Sequence, residues 1–270
     1  MKNLKRFCTY GGLILAAAVV MFPFVWMIST AFKLPEHAFD LNLIPRPGTL
    51  ENFSKVIFNF GFGRYFVNSL IVAGSAALVT TFFASLAAYA FAKKQFPLKN
   101  TLFAVFLASM MVPGLMYVVP QFAIVSQLGW MNTYKAMVIP HLANVFGLFL
   151  MRQYLAGIPD DLIDAAHIDG ASEARIFFHL ILPLSSPVVA TLFLLTFQFH
   201  WNNFLWQLIV TNDSSLYTVP VGLALFKSAH EELYTLKMAG SCFSIIPIAV
   251  IFLFTQRFFI EGMTKGALKD

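Results

Sequence analysis

Residues 157–187 read GIPDDLIDAAHIDGASEARIFFHLILPLSSP. The stretch carries Asp160, Asp161, Asp164, Asp169 and Glu173, five of the 13 acidic residues in the chain. Its pattern predicts two short helices joined by a glycine. Pro159 and Asp160 suit a helix start, with acids in the first turn facing the positive end of the helix dipole. Leu162, Ala165, Ala166 and Asp169 recur at helical spacing. Gly170 can take the left-handed conformation that ends a helix. Ser172 can cap the next helix, expected from Glu173 to about Ile181. Pro183 and Pro187 then lead into an apolar run. Ala165, Ala166 and Gly170 leave one side of the first helix low, a surface that can dock closely into a groove on a partner. A helix-turn-helix DNA reader does not fit, because the loop is acidic and nucleic acid repels it.

Working outward, the flanking sequence is free of Asp, Glu, Lys and Arg over long runs. These runs hold 26 residues between Arg6 and Lys33, 28 between Arg64 and Lys93, and 35 between Lys99 and Lys135. They continue with 16 between Lys135 and Arg152, 37 between Arg175 and Asp213, and 19 between Lys237 and Arg257. A helix needs roughly 20 apolar residues to cross a bilayer, so six transmembrane helices are expected. The short fourth run can extend by placing Arg152 at the interface. The two longest runs have a surplus, expected as short interfacial or re-entrant pieces.

Composition agrees. Of 270 residues, 59% are hydrophobic and 11% charged, against about 25% charged in soluble domains. A water-soluble globule could not bury that much apolar surface. This excludes a cytosolic enzyme, a disordered chain and a nucleic-acid binder. The net charge of +5 is read as Lys and Arg at membrane boundaries. Their distribution places both termini in the cytoplasm. The first run, after Lys2, Lys5 and Arg6, is too long for a signal-peptide core and is read as an uncleaved span. Cys8 and Cys242 form neither a disulfide framework nor a metal spacing. The whole of 1–270 is read as a single transmembrane domain, with 157–187 as a cytoplasmic loop within it.

The chain has no Gly-x-x-x-x-Gly-Lys-Ser/Thr phosphate loop, and Gly61-Phe62-Gly63 lacks the third glycine of a dinucleotide fingerprint. His167 and His179, twelve residues apart without further ligands, do not make a metal site. Polar residues inside spans are costly in hydrocarbon. Asn68, Asn144, Gln198, His200, Asn202 and Asn203 are therefore candidates for a substrate path, with Trp201 able to stack on a sugar ring. The same groups could instead bond neighbouring helices. Pro113, Pro120 and Pro140 are expected to kink helices.

The loop resembles the signature loop of permease subunits in ATP-binding-cassette importers. That pattern is Glu-Ala-Ala, three residues, Gly, nine residues, Ile, one residue, Leu-Pro. Asp164-Ala165-Ala166, Gly170 and Leu182-Pro183 match it, with Asp164 in place of Glu and Leu180 in place of Ile. The likeness covers nearly the whole chain and is to the sugar-importer branch, of the type that serves as the smaller permease of maltose transporters. It includes PFVWMISTAFK at 23–33, LENF at 50–53, RYFVNSL at 64–70, AYAFAKK at 88–94 and Val112-Pro113-Gly114. WNNFLW at 201–206 follows, with Asn203 where the family commonly has Glu, then QRFF at 256–259 and GMTKGA at 262–267.

The resemblance implies an all-α integral membrane fold of the type I importer permease (MetI-like) kind, in a prokaryotic plasma (inner) membrane. It implies a second permease subunit, two ATP-binding subunits that hold ATP and Mg, an extracytoplasmic solute-binding protein and a sugar substrate. It implies no catalytic site and no cofactor on this chain. Asp164, Ala165, Ala166 and Gly170 would contact the ATPase, Asp169 would fix the loop, and the tail after Gly262 would also touch the ATPase. An ATP-independent transporter or channel is the alternative, and it requires intramembrane acids for ion coupling, of which none is evident. A membrane enzyme requires a paired His and carboxylate constellation, and His141 and His200 lack carboxylate partners in the sequence.

Overall fold

The computed structural model describes residues 2–224, 226 and 233–267, with side chains described over 6–224, 226 and 233–256. Among the described residues the regular structure is helical, apart from an isolated antiparallel bridge between Lys33 and Gly48. The principal helices are α1 (Lys2–Ala31), α2 (Phe62–Lys93), α3 (Lys99–Ser109), α4 (Val118–Gln127), α5 (Tyr134–Val138) and α6 (Val145–Ala156). They continue with α7 (Asp161–Ile168), α8 (Glu173–Ile176), α9 (Ser186–Trp201), α10 (Leu205–Val210) and α11 (Tyr234–Ala267).

The six charge-free runs map onto this order. Three helices are long and apolar enough to cross a membrane unbroken: Arg6–Ala31 of α1, Phe62–Lys93 and Tyr234–Gln256 of α11. The other three runs form bent pairs. Lys99–Ser109 meets Gly114–Gln127 at 92°, Tyr134–His141 meets Val145–Ala156 at 47°, and Glu173–Leu184 meets Ser186–Trp201 at 80°. Counting each pair as one span gives six. The breaks fall at proline. Pro113 precedes the turn after α3, Pro140 lies in the turn after α5, and Pro183 and Pro187 bracket the third bend. A proline removes one backbone donor and clashes with the carbonyl four residues back. Pro120, by contrast, sits inside the first turn of α4, where its missing N–H costs nothing.

The chain forms two compact units. The first comprises Met1–Arg64 and Gly222–Pro247. In it α1 is exposed from Arg6 to Val25, as a lipid-facing helix requires. The segment after α1 is folded rather than a simple connector. The Asn52 amide donates to the Ala31 carbonyl at 2.9 Å and the Lys33 carbonyl at 2.7 Å. The Lys33 ammonium is buried; it donates to the Asp40 carbonyl at 2.6 Å and lies 4.5 Å from the centre of the Trp26 ring.

The second unit comprises Tyr65–Val221 and Ile248–Asp270. Its main core joins Ala84 and Ala88 of α2, Leu148, Met151 and Leu155 of α6, and Val188 and Leu192 of α9. Ile163, Ile176 and Ile181, from the polar loop, belong to the same core. The crossing is closed by Gly147. A Cβ there would lie 3.0 Å from a Leu192 methyl and 3.3 Å from the Ala84 methyl. Small residues at such a crossing let helix backbones approach, which is how membrane helices gain packing energy without a hydrophobic driving force.

Gly147→Val is expected to overpack this crossing and destabilise the protein by about 1–3 kcal/mol. The check is the melting temperature of the detergent-purified variant beside that of Gly147→Ala, whose single methyl meets the same Leu192 and Ala84 contacts with less excess volume and should cost less.

The loop at residues 157–187 and an open cleft in the second unit

The two-helix reading of the loop holds in detail. α7 begins at Asp161, and the Asp160 carbonyl accepts from the N–H groups of Ile163 at 2.8 Å and Asp164 at 3.0 Å. The Asp160 side chain does not cap the helix and is turned to Lys93 instead. At the other end Gly170 takes φ +75°. Its N–H returns to the His167 carbonyl, and the Ala171 N–H returns to the Ala166 carbonyl, both at 2.9 Å. This is a Schellman stop, which needs a residue free to adopt positive φ. The Ser172 hydroxyl accepts from the Arg175 N–H and starts α8. The second helix stays α-helical only to Ile176 and widens to a π turn over Phe177–Ile181. Pro183 cannot donate to the His179 carbonyl, so the regular ladder is already interrupted there.

α7 is two-sided. Ile163 is buried and Ala166 packs against the core. Asp161, Leu162, Asp164, Ala165 and Ile168 are exposed, Ile168 to 87%. Asp169 and Gly170 continue this exposed surface. Asp164, Ala165, Asp169 and Gly170 of the sequence-derived set thus share one exposed edge, and Ala166 faces inward.

The loop is tied to the end of α2. The Lys93 ammonium donates to Asp160 at 2.6 Å and to the Ile158 carbonyl at 2.5 Å. Glu173 accepts from Lys94 and, at 2.8 Å, from the Tyr89 hydroxyl. His167 Nε2 lies 3.4 Å from the same carboxylate. These ties were not legible in the sequence, where Lys93 and Lys94 read only as boundary charges. Hydrogen bonding and charge from Lys93 hold the Asp160 carboxyl below the usual carboxylate range. The bond from Lys94 does the same for Glu173. Partial burial opposes the charge on Lys94, but its bonds to Glu173 and Tyr89 outweigh this and raise its pKa.

The second unit also contains an open cleft of about 780 Å³. Gly114 and Tyr117 line it from the turn between α3 and α4, and Gln121 from α4. His141, Gln198, Phe199, Asn202, Asn203 and Trp206 complete much of the wall. The break after Pro113 borders this opening, and broken helices commonly line such recesses in membrane proteins. Tyr117, Gln121 and His141 were not among the sequence-derived candidates. The proline-associated breaks beside them were the signal.

The sequence-derived path set separates here. Gln198, Asn202 and Asn203 line the cleft, and the Asn203 side chain accepts from the Trp206 N–H at 3.3 Å. His200 is 3% exposed and stands behind His141, ring centres 5.8 Å apart. Trp201 does not line the cleft: it is 2% exposed, stacked on Phe197 and edge-on to Phe66. Its ring faces are therefore closed to a sugar. Asn68 is engaged on both ends of its amide. It donates to the Ser215 and Tyr217 carbonyls at 2.9 Å and accepts from the Tyr134 hydroxyl at 2.6 Å. Asn144 caps α6 through the Gly147 N–H at 2.7 Å. Both bond neighbouring structure instead of standing free. Arg152, expected at an interface, is half-buried with its guanidinium 4.2 Å from the centre of the Phe103 ring. The tail after Gly262 lies outside the described side chains.

The comparisons agree with this architecture. Residues 80–263, more than half of the chain, match the family described as the inner membrane component of binding-protein-dependent transport systems. A trehalose/maltose transport system permease protein of Thermococcus litoralis is 36% identical over 271 residues, covering 98% of each chain. An arabinooligosaccharides transport system permease protein of Halalkalibacterium halodurans is 34% identical over 263 residues, covering 96% of this chain and 94% of that one. The crystal structure of a bacterial ABC transporter involved in import of the acidic polysaccharide alginate contains a chain of the same fold. Its TM-score is 0.84 at 20% identity, covering 96% of this chain and 98% of that one. The protein belongs to the family of inner-membrane permease components of binding-protein-dependent ABC importers. It is a multi-pass membrane subunit, and ATP hydrolysis belongs to a partner subunit.

The ties between loop and α2 predict a pH window. A carboxylate with a lowered folded pKa adds stability above its ordinary pKa of about 4, lost as pH falls through the folded value. Lys94, with a raised pKa, adds stability below about 10.4, lost as pH rises through its folded value. Hydrogen exchange of the 157–176 amides, corrected for intrinsic rates, should therefore show constant protection near neutrality and loosening below about pH 4.

Proposed function

We propose that this chain is one of two permease subunits through which an importer carries a neutral saccharide inward, driven by ATPase subunits that grip residues 157–187. The observation that carries the reading is the two-sided α7. Its back is packed into the core and clasped to α2, while its acidic and apolar front is ordered yet left exposed by the described residues. Asp164, Ala165 and Gly170 offer the contact surface, Asp169 flanks the glycine turn, and Ala166 lets the helix sit close to the core. Two ATP-binding subunits with ATP and Mg act from the cytoplasmic side, where both termini also lie. A solute-binding protein delivers the sugar from outside. ATP-driven closure displaces the loop, and the permease pair switches as packed bodies between inward- and outward-facing states.

The cleft supports the substrate class. Gln198 and Asn202 offer amides that pair with sugar hydroxyls, Gln121, whose Nε2 donates to the Pro140 carbonyl at 3.2 Å, offers its amide oxygen, and Tyr117 and Phe199 offer aromatic faces. No Lys, Arg, Asp or Glu is found among the described residues that line it, so a neutral solute is favoured over a uronate or phosphate. Two relatives near 35% identity are named for transport of neutral disaccharides or oligosaccharides.

Affinity purification of the chain from its native membrane should bring down an ATPase and a second permease in roughly equal permease amounts. Gly170→Asp should insert normally and abolish uptake, because aspartate is strained at φ +75° and adds charge to the docking edge. Normal uptake by that variant would overturn the loop assignment. Gln198→Ala should raise the uptake KM about fivefold, as expected for one lost hydrogen bond, with neutral sugars competing and uronates not.

A further inference from the structure

The second unit contains nearly all of α2, a long unbroken helix. α2 runs for 32 residues without a proline or a break. The other spans of that unit built from paired helices are bent, by 92°, 47° and 80°. The covalent route from α7 to α9 passes through the last of these bends, between Leu184 and Ser186. A push on α7 sent along the chain alone would have to turn through 80° there. A second route crosses from loop to α2. The side chain of Lys93 is 3% exposed, and its ammonium is held by Asp160 and the Ile158 carbonyl. A buried charge with such partners is costly to displace. One carboxylate, Glu173, then gathers Tyr89 of α2, Lys94 just beyond it and His167 of α7. The two carboxylates lie outside α7, Asp160 just before it and Glu173 at the start of α8.

We infer that Glu173 is a positioning residue that makes α7 and α2 move as one body, so that ATPase-driven displacement enters the membrane unit through α2. This rests on the coupling-loop reading above. Glu173 does not touch the ATPase or the solute. It fixes the angle at which α7 is presented and passes the load directly to α2 instead of round the bend.

The test uses the complete transporter in liposomes with its binding protein, and reads solute moved per ATP hydrolysed. Glu173→Gln is expected to assemble with the ATPase in wild-type amount and to hydrolyse ATP. Its solute-to-ATP ratio should fall about fivefold, as for loss of one partly exposed ionic and hydrogen-bonded tie. The swapped pair Lys94→Glu with Glu173→Lys should recover most of the ratio. A wild-type ratio in Glu173→Gln overturns the inference. So does a variant that only lowers yield and melting temperature with the ratio unchanged, or a loss that the swapped pair does not recover. Ala165→Trp, on the exposed face, separates the two levels. If it leaves ATPase association and uptake intact, the coupling-loop reading itself fails. If it blocks association while Glu173→Gln is harmless, only the role of Glu173 fails.

Discussion

In the core of a bilayer there is no water to satisfy a peptide group, so each N–H and carbonyl must bond within the chain. Most of this structure follows from that constraint. It makes the apolar runs helical. It also makes every interruption consequential, since the freed backbone groups need another partner or a recess. The interruptions here are associated with Pro113, Pro140, Pro183 and Pro187. The first of them borders the cleft that Tyr117 and Gln121 help to line. The last two flank the 80° turn between the 157–187 loop and α9. The same prolines that complicate span counting therefore stand beside both the cleft and the 157–187 loop.

The loop solves a second problem. A polar segment between two membrane spans would ordinarily be mobile, and a mobile segment transmits no force. Here Ile163, Ile176 and Ile181 bury into the membrane unit's core, while Lys93, Lys94 and Tyr89 hold its acids. The apolar anchors set its depth and the ionic ties set its angle. What remains outside is a short helix face of stated chemistry: aspartates at its edge, alanine and isoleucine at its centre. An individual exposed ion pair contributes little to stability. Their concentration around one carboxylate and one buried lysine is a matter of geometry more than of folding energy.

The polar residues within spans show how one chemistry serves two ends. Asn68 and Asn144 use their amides to hold turns and a helix end. Gln198 and Asn202 present theirs to an open cleft. Both uses satisfy the cost of an amide in an apolar setting, the first with backbone and the second with solvent or solute. Residue type does not distinguish them. Trp201 makes the same point for aromatics: its rings are spent on Phe197 and Phe66 inside the core.

By itself the sequence determined the six-run membrane plan, the two short helices of the loop, the stop at Gly170 and the cap at Ser172. Each depends on neighbours within a few residues or on total apolar length, which a linear string displays. The family likeness was likewise a matter of linear motifs, Asp164-Ala165-Ala166, Gly170 and Leu182-Pro183 in the loop together with stretches in order along nearly the whole chain. Only the tertiary structure decided which spans bend sharply, that Lys93 is buried against Asp160 67 residues away, and that Tyr89 and Lys94 meet at Glu173. It alone separated Gln198 and Asn202 from Asn68, Asn144 and Trp201. These outcomes depend on which helix faces meet, and a helical pattern in near-uniformly apolar sequence leaves that choice open, because every face of such a helix reads alike until its neighbours are in place.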